Sequence, residues 1–330
     1  MRLKKRSSPK RFLNPERNNS ASNLSVLEKS FIELSRKQVN MTDRDVFVLE
    51  DKNGWFGIMT AHMKNMAALG TKLVTVFPKN IEINKPTTQA VISLIDVNTG
   101  ELIGIIDGSL ITGMRTGATT GIATKYLSKK NSSKLSILGS GFQSKFQLMA
   151  ICSVRNIKEI FINSPSIDSK SEYIHELEDL LDIPIIIEKN ITKLLNTDIL
   201  VTSTTSPIPL FDGNLLDNGI HINCIGAHTK ETREVDLRTI EKSKVVVDER
   251  STALREAGEL IIPLQNGEIT DKIIYAELAE IVSGQKPGRI TDDEITLFKS
   301  MGLSLEDIST AKLVFDKAIE KGLGRNLTLY

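Results

Sequence analysis

The chain has 330 residues, of which 40% are hydrophobic and 25% are charged, and a formal net charge of +1. This length suffices for two domains, and the composition is that of a globular protein. The near-neutral charge predicts neither a nucleic-acid nor a membrane partner, and no apolar run approaches the ~20 residues of a membrane span. Two cysteines, Cys152 and Cys224, lack metal-ligand spacing. Their small number and their spacing predict buried, inert thiols, no bound metal and a cytoplasmic location.

The first half of the sequence is typical of a short helix followed by β-strands. The first eleven residues carry six basic side chains and no apolar segment, which favours a solvated tail over a nucleic-acid arm or a transit segment. Helical spacing of apolar residues follows over 24–39. Runs rich in β-branched and aromatic residues then predict strands, with a hairpin turn at 98–100. The expected strands are 46–49, 55–60, 72–77, 90–96 and 101–106, which form an antiparallel, mainly β unit.

The second half alternates helices and strands. Strands are expected over 135–138, 159–163, 185–187, 199–202, 220–225 and 245–247, and helices over 116–127, 169–181 and 304–321. This alternation predicts an α/β fold with a doubly wound parallel sheet of Rossmann type. The last helix is expected to return to the first unit. The prediction is therefore a first domain of residues 1–115 and 304–330, and a dinucleotide-binding domain of residues 116–303.

One stretch, residues 135–150, predicts a dinucleotide site. A short apolar strand runs directly into Gly139 and Gly141 and then into a helix. Such a turn presents free N–H groups and the positive end of a helix dipole to a pyrophosphate, with Gly139 allowing the turn and Gly141 allowing close approach. Ser144 replaces the third glycine of the usual pattern. The strand–turn–helix context favours a cofactor site over a plain turn.

The next strand ends at Asn163 and Ser164, where an acidic residue would bind the ribose 2′-hydroxyl of NAD. No acid is present there to repel a 2′-phosphate, and no arginine follows to bind one. The cofactor prediction is therefore NAD or NADP, with a lean to NADP.

Three cationic or titratable residues stand out as candidates for chemistry. Lys72 shares a strand face with Val74 and Val76, so it either extends to solvent or serves as an ammonium in a pocket for an anionic or carbonyl group. Arg115 begins a helix at the seam between the two units, where it makes a surface salt bridge or clamps a carboxylate or phosphate. His228 follows a strand at the carboxyl edge of the sheet, so it is a surface histidine or a proton-exchanging group.

Several motifs, in order from about residue 28 onwards, resemble the ornithine cyclodeaminase/mu-crystallin family. They are Gly70-Thr-Lys-Leu-Val-Thr-Val-Phe-Pro78, Pro86-Thr-Thr-Gln89, Ile106-Asp-Gly108, Arg115-Thr-Gly-Ala118, Gly139-Ser-Gly-Phe-Gln143, Gly226-Ala-His228, Arg233-Glu-Val-Asp236, Arg255-Glu-Ala-Gly258, Pro287-Gly-Arg289, Phe298-Lys-Ser-Met-Gly302 and Glu306-Asp307. The resemblance implies a substrate-binding and dimerisation domain, completed by the C-terminal helix, with the nucleotide domain inserted into it. It also implies a homodimer formed through the β domain.

The resemblance also implies roles for individual residues. Arg44, Lys72 and Arg115 would hold the substrate carboxylate or polarise its nitrogen-bearing centre, and Met301 would contact the substrate. Besides Gly139, Gly141 and Ser164, the cofactor would contact Thr87, Arg115, Phe142, Gln143, Asn163, Thr204, Ile225 and Ser300.

His228 separates this chain from one branch of the family. True ornithine cyclodeaminases carry an aspartate at this position, so the resemblance favours the ketimine or pyrroline-2-carboxylate reductase-like branch. The predicted function is an NAD(P)-dependent oxidoreductase acting on the C=N or C–N centre of an imino or amino acid, with Lys72 and His228 as catalytic residues. The alternatives are ornithine cyclodeaminase, an ammonia lyase that recycles NAD, and a non-catalytic binding protein that holds NADP.

Overall fold

The computed structural model describes residues 18–326, so the basic N-terminal segment lies outside the described residues. An antiparallel sheet forms the first half of the chain. Its strands are β1 (Val39–Met41), β2 (Asp45–Leu49), β3 (Gly54–Met63), β4 (Ala68–Val76), β5 (Thr88–Ile95) and β6 (Leu102–Asp107). They lie in the order β1-β3-β4-β5-β6, with β2 also paired to β3. The predicted hairpin between β5 and β6 is confirmed, and Gly100 has a φ of +77° in its turn.

A parallel sheet forms the second half of the chain. Its strands are β7 (Lys134–Leu138), β8 (Glu159–Asn163), β9 (Ile185–Ile187), β10 (Ile199–Thr202), β11 (His221–Cys224), β12 (Ser243–Val247), β13 (Ile274–Glu277) and β14 (Ile295–Lys299). They lie in the order β13-β12-β14-β11-β10-β7-β8-β9. The chain runs outward from β7 to β9 and then crosses back to β10. The predicted doubly wound fold is confirmed, and its switch point, where such sheets bind ligands, lies between β7 and β10.

Helices connect and cover the two sheets. They are α1 (Asn18–Ser35), α2 (Gly108–Leu127), α3 (Phe142–Val154), α4 (Ser171–Leu181), α5 (Ile191–Leu195), α6 (Leu237–Lys242), α7 (Arg250–Glu256), α8 (Gly258–Gln265), α9 (Leu278–Val282) and α10 (Ser304–Glu320). As expected for the last helix, α10 packs against β3, β4 and β5 of the antiparallel sheet. Within residues 18–326, no helix is both long and apolar enough to cross a bilayer.

Helix α2 begins at Gly108, eight residues before the predicted start at 116. Its glycines weaken an isolated helix. In the structure they allow close packing. A Cβ atom on Gly113 would lie 2.4 Å from the ring of Phe146, and one on Gly117 would lie 2.5 Å from the carbonyl oxygen of Phe146. Glycine therefore marks the crossing of α2 and α3 rather than a helix boundary.

The first helix also differs from the prediction. It ends at Ser35, and residues 39–41 form β1 instead of continuing the helix to 39. Lys37 adopts a φ of +55°, and the N–H of Gln38 donates to the carbonyl of Glu33 at 2.9 Å. This left-handed turn ends the helix.

The sequence patterns did not predict β1, β13, β14 or the helices α5 to α9. The omission of β14 matters most, because this strand lies inside the parallel sheet between β11 and β12. Its polar residues Thr296 and Lys299 are fully or almost fully buried. Thr296 pairs with His221 at 3.0 Å, and Lys299 pairs with Glu259 at 3.1 Å. Strand β14 therefore lacks a continuous apolar run, because its buried polar side chains are satisfied by polar partners.

Candidate active site

The turn after β7 has the geometry of a pyrophosphate cradle. Gly139 adopts a φ of +114°, and a Cβ atom there would lie 2.2 Å from the carbonyl oxygen of Ser203, so only glycine fits. Gly141 precedes the first residue of α3, and a Cβ atom there would meet nothing within 4 Å. This open space beside a helix N-terminus fits the phosphates of a dinucleotide.

Most of the residues predicted to contact the cofactor lie along the same edge of the parallel sheet. Phe142 and Gln143 begin α3, Asn163 and Ser164 are at the end of β8, and Thr204, Ile225 and Ser300 follow β10, β11 and β14. The carbonyl of Asn163 accepts a bond from the N–H of Gly139 at 2.8 Å, which ties the end of β8 to the turn. Thr87 instead lies just before β5 in the antiparallel sheet and is exposed. No hydrogen bond found within residues 18–326 joins it to the glycine turn.

Glu234, which the sequence analysis quoted only within a motif, connects two loops at this edge. Its fully buried carboxylate accepts hydrogen bonds from the backbone N–H of Thr204 at 2.7 Å and from that of Gly226 at 2.7 Å. The hydroxyl of Thr202 donates to the same carboxylate at 2.8 Å. Such charge-assisted bonds fix the loops that follow β10 and β11. No local sequence pattern signals this role, because the donors come from distant segments.

Lys72 and Arg115 come together around two carboxylates at the start of α10. Lys72 is 2% exposed, and its Nζ lies 2.5 Å from Oδ2 of Asp307. Arg115 donates from Nε to Oδ1 of Asp307 at 3.1 Å and from Nη1 to Glu306 at 2.9 Å. Both carboxylates are fully buried. Strand β4, helix α2 and helix α10 thus each contribute to one charge cluster, which we name the Lys72 cluster (Lys72, Arg115, Glu306 and Asp307).

Burial perturbs the ionisation of this cluster. Loss of hydration lowers the pKa of Lys72 from 10.5 to about 8; the charge of Asp307 opposes this shift, and the charges of Arg115 and Arg44 add to it. Burial opposes the ionisation of Asp307, but Lys72 and Arg115 outweigh it and hold the pKa of Asp307 below its usual value. Burial raises the pKa of Glu306. The lysine is therefore ionised at neutral pH and close to its titration range.

The loop after β14 is tied to both sheets. Arg44, next to β2, donates from Nη2 to the carbonyl of Met301 at 3.0 Å and from Nη1 to Glu256 at 2.9 Å. The buried carboxylate of Asp248 accepts the N–H groups of Met301 and Gly302 at 2.5 and 2.6 Å. Burial and the charge of Glu306 raise the pKa of Asp248 to about 7. Met301 is thereby fixed between the two sheets.

His228 lies exposed on the loop after β11. Its Nδ1 is 2.9 Å from the carbonyl of Gly226, which can only accept, so Nδ1 carries a proton and Nε2 is left as the exchangeable nitrogen. Partial removal of water by the surrounding protein lowers the pKa of His228, and the positive charges of Arg44 and Lys299 lower it further. Because Arg44 acts on both His228 and Lys72, the three residues share one electrostatic environment.

Neither cysteine thiol ionises readily to the reactive thiolate. Burial raises the pKa of Cys152 to about 12 and raises that of Cys224 further still. Both are unpaired. Within residues 18–326, no group of three acidic, histidine or cysteine side chains is arranged to hold a metal ion.

A glycine turn at the switch point of a parallel sheet, together with a buried lysine and a buried arginine beside the antiparallel sheet, fits a dinucleotide-dependent oxidoreductase. The chain belongs to the ornithine cyclodeaminase/mu-crystallin family, whose model matches residues 14–322. The family predicted from the motifs is therefore confirmed.

Three relatives illustrate this similarity. The chain is 36% identical to a Δ1-pyrroline-2-carboxylate reductase of Bacillus cereus over 272 residues, which cover 82% of this chain and 83% of the relative. The structure of Thermococcus litoralis Δ1-pyrroline-2-carboxylate reductase with NADH and L-proline is similar with a TM-score of 0.91 and 38% identity, covering 93% and 96% of the two chains. An archaeal alanine dehydrogenase dimer with bound NAD has a TM-score of 0.89 and 31% identity, with 94% and 95% covered.

These findings confirm the predicted enzyme class. The chain is an NAD(P)-dependent oxidoreductase acting on the C=N or C–N centre of an imino or amino acid. It is similar to the reductase and dehydrogenase branches named above, in agreement with the histidine at position 228.

Proposed function

We propose that this enzyme reduces the C=N bond of a small α-imino acid, with Δ1-pyrroline-2-carboxylate as the substrate and L-proline as the product. The observation that carries the proposal is the Lys72 cluster, in which a buried lysine and a buried arginine are fixed by two carboxylates. A small imino acid presents a carboxylate and a nitrogen a few bonds apart, and two fixed cations suit that arrangement. The similarity to a reductase crystallised with L-proline supports the choice of substrate.

The two arginines are proposed to bind the substrate carboxylate. Arg115 is held by Glu306 and Asp307, and Arg44 by Glu256 and the carbonyl of Met301. These contacts fix both guanidinium groups before the substrate arrives, so little conformational entropy is lost on binding. Met301 is proposed to pack against the aliphatic part of the substrate.

Lys72 is proposed to hold a proton at the substrate nitrogen. When bound, a nicotinamide dinucleotide supplies the hydride that adds to the carbon of the C=N bond. A positive charge at the nitrogen favours that addition, and a lysine with a pKa of about 8 carries this charge at neutral pH and still releases its proton readily. His228, through Nε2, is proposed to exchange protons with solvent at the mouth of the site.

A substrate panel tests this proposal. The purified protein is supplied with Δ1-pyrroline-2-carboxylate, with pyruvate plus methylamine, and with ornithine, each with NADH and with NADPH, while the absorbance of the reduced nucleotide is followed. We expect net oxidation of the nucleotide and formation of proline from the cyclic imine. Proline and ammonia formed from ornithine without net nucleotide turnover would instead identify a cyclodeaminase. Nucleotide binding without turnover of any substrate would identify a binding protein.

We also propose a homodimer formed through the antiparallel sheet. Strand β2 is an edge strand with exposed apolar side chains, of which Val48 is 68% exposed, and Leu73, Val91 and Ile105 are exposed on β4 to β6. Such a continuous apolar surface is typical of an interface between protein chains. An oligomer of two copies in light scattering, converted to a monomer by Val48→Glu, is the expected result. A monomeric wild-type protein would contradict it.

The domain division and the location follow as further parts of the proposal. The substrate and dimerisation domain comprises residues 1–115 and 304–330, and the dinucleotide domain comprises residues 116–303, with the boundary inside α2 beside Arg115. A cytoplasmic location suits the two unpaired thiols.

A further inference from the structure

An ammonium group that the sequence analysis overlooked lies at the glycine turn. Lys170 immediately precedes α4, six positions after Ser164. Its Nζ donates to the carbonyl of Ser140 at 2.7 Å and to the hydroxyl of Ser140 at 2.9 Å. Ser140 stands between the two glycines of the turn. The segment after β8 therefore folds back and returns a positive charge to the cofactor edge of the sheet.

Within residues 18–326, this charge has no anionic partner. Asp168, a nearby acidic residue in the sequence, is engaged by Lys189 at 2.6 Å. Among the described residues, no carboxylate forms an ion pair with Lys170, and the residues Asn163 and Ser164 at the end of β8 are neutral. A lysine fixed by two hydrogen bonds without a counter-ion is suited to an anionic ligand, for which an ammonium group acts as a point charge.

Two hydroxyls extend this site toward the end of β8. The oxygen atoms of Ser140 and Ser164 are 2.6 Å apart. Because the Ser140 hydroxyl oxygen accepts a bond from Lys170, its own proton is free to donate to Ser164. The proton of Ser164 is then available to a ligand. Lysine and serine together offer one charged and one neutral donor at the strand end where the adenosine ribose of a dinucleotide binds.

We propose that Lys170, Ser140 and Ser164 form a binding site for the 2′-phosphate of NADP(H), and that Lys170 is the residue that selects NADPH over NADH. The inference rests on the proposed function, because it concerns the cofactor of that reaction. In this proposal, Lys170 has the role that an arginine directly after β8 would have. Its side chain reaches the end of β8 from the start of α4. The preference for NADPH is a difference between the affinities for NADPH and NADH. The charge of Lys170 increases the affinity for the 2′-phosphate, and no acidic residue at the end of β8 repels it.

The test compares nucleotide binding by calorimetry, without substrate. Lys170→Gln keeps a hydrogen-bond donor for Ser140 and removes the charge. The matched control is Lys158→Gln, which removes the same charge from an exposed position just before β8, at the opposite end of that strand. Titrations use NADPH, NADH, 2′,5′-ADP and 5′-ADP, so that the 2′-phosphate and the pyrophosphate are probed separately.

We expect Lys170→Gln to weaken NADPH and 2′,5′-ADP binding by about tenfold or more, which is about 1.4 kcal/mol, and to change NADH binding by less than about twofold. The control should match the wild type for all four ligands. Equal losses for NADPH and NADH would assign Lys170 to the pyrophosphate and overturn the proposal, as would unchanged NADPH affinity. Failure of the proposed function would appear differently, as selective NADPH binding without reduction of any imine.

Discussion

Replacement of Lys72 by methionine is expected to reduce the rate of imine reduction without preventing cofactor binding. Methionine has a similar length and flexibility but no charge. Removal of a preorganised charge at a reacting centre costs on the order of 10²-fold in rate, so kcat/KM for imine reduction should fall by at least about that factor. Circular dichroism and nucleotide titration serve as controls, because Lys72 lies on the antiparallel sheet and not at the glycine turn.

The pKa of Lys72 predicts a pH limb that the variant lacks. With a pKa of about 8 in the free enzyme, the protonated lysine is lost as the pH rises through this value. Wild-type kcat/KM should therefore fall above pH ~8, approaching a tenfold loss per unit. The residual activity of Lys72→Met should lack this limb. A wild-type profile that stays flat up to pH ~10 would refute the assignment of Lys72 as the proton-holding group.

The lowered pKa of Lys72 also predicts how the burial of this residue affects the stability of the fold. The pKa of Lys72 is about 8 when folded and 10.5 when exposed, so the unfolded chain binds the proton more tightly. The loss of folding stability caused by burying the protonated lysine is therefore present in full below pH ~8, and it disappears as the pH rises toward 10.5. Because Arg115 still pairs with Asp307 when Lys72 is replaced, Lys72→Met should unfold at the same or a higher temperature at pH 7, and a large destabilisation together with full activity would make Lys72 a structural residue.

Three further substitutions probe the remaining parts of the site. Gly141→Val should abolish binding of both nucleotides in calorimetry while the protein still folds, because a branched side chain would fill the open space beside α3; unchanged affinity would remove the dinucleotide assignment. Asp307→Asn removes the charge that raises the pKa of Lys72, so the basic limb of kcat/KM should move below pH ~8. A limb that stays in place would show that Asp307 does not control the ionisation of Lys72. His228→Asp should raise any ornithine cyclisation, weaken imine reduction and remove the limb that His228 contributes to the kcat profile, which lies on the acid side of the ordinary histidine range because burial lowers the pKa of His228. Efficient cyclisation by the wild-type protein would contradict the reductase assignment.

Local patterns were sufficient to predict the dinucleotide half of the fold. Strands β8, β9 and β10 have the predicted bounds, because each is a short apolar run between polar turns. The turn at Gly139 and Gly141 was also predictable, since both its conformation and its neighbours depend on adjacent residues. The family motifs added the residues at the ends of β10, β11 and β14, which are far apart in sequence.

The partners of these residues were not predictable in the same way. The sequence indicates that a lysine on an apolar strand face needs a counter-ion, but Asp307 lies 235 positions away from Lys72. Lys170 was missed for a related reason, because the sequence analysis sought a cation directly after Ser164, whereas the chain makes a further turn before it returns. The position of β14 between β11 and β12 depends on the order of strands in the sheet, which periodicity does not encode.

The origin of Glu306 and Asp307 in α10 has a consequence for biosynthesis. Lys72 leaves the ribosome 235 residues before Asp307, and Arg115 leaves it 191 residues before Glu306, so both emerge well ahead of the carboxylates that neutralise them. Until then, closing the first sheet would bury two positive charges without counter-ions, at a cost of several kcal/mol for each. The antiparallel sheet should therefore remain incompletely packed during translation and close only when α10 docks. A fragment that ends before residue 304 should stay open, and the finished core should form late and with high contact order.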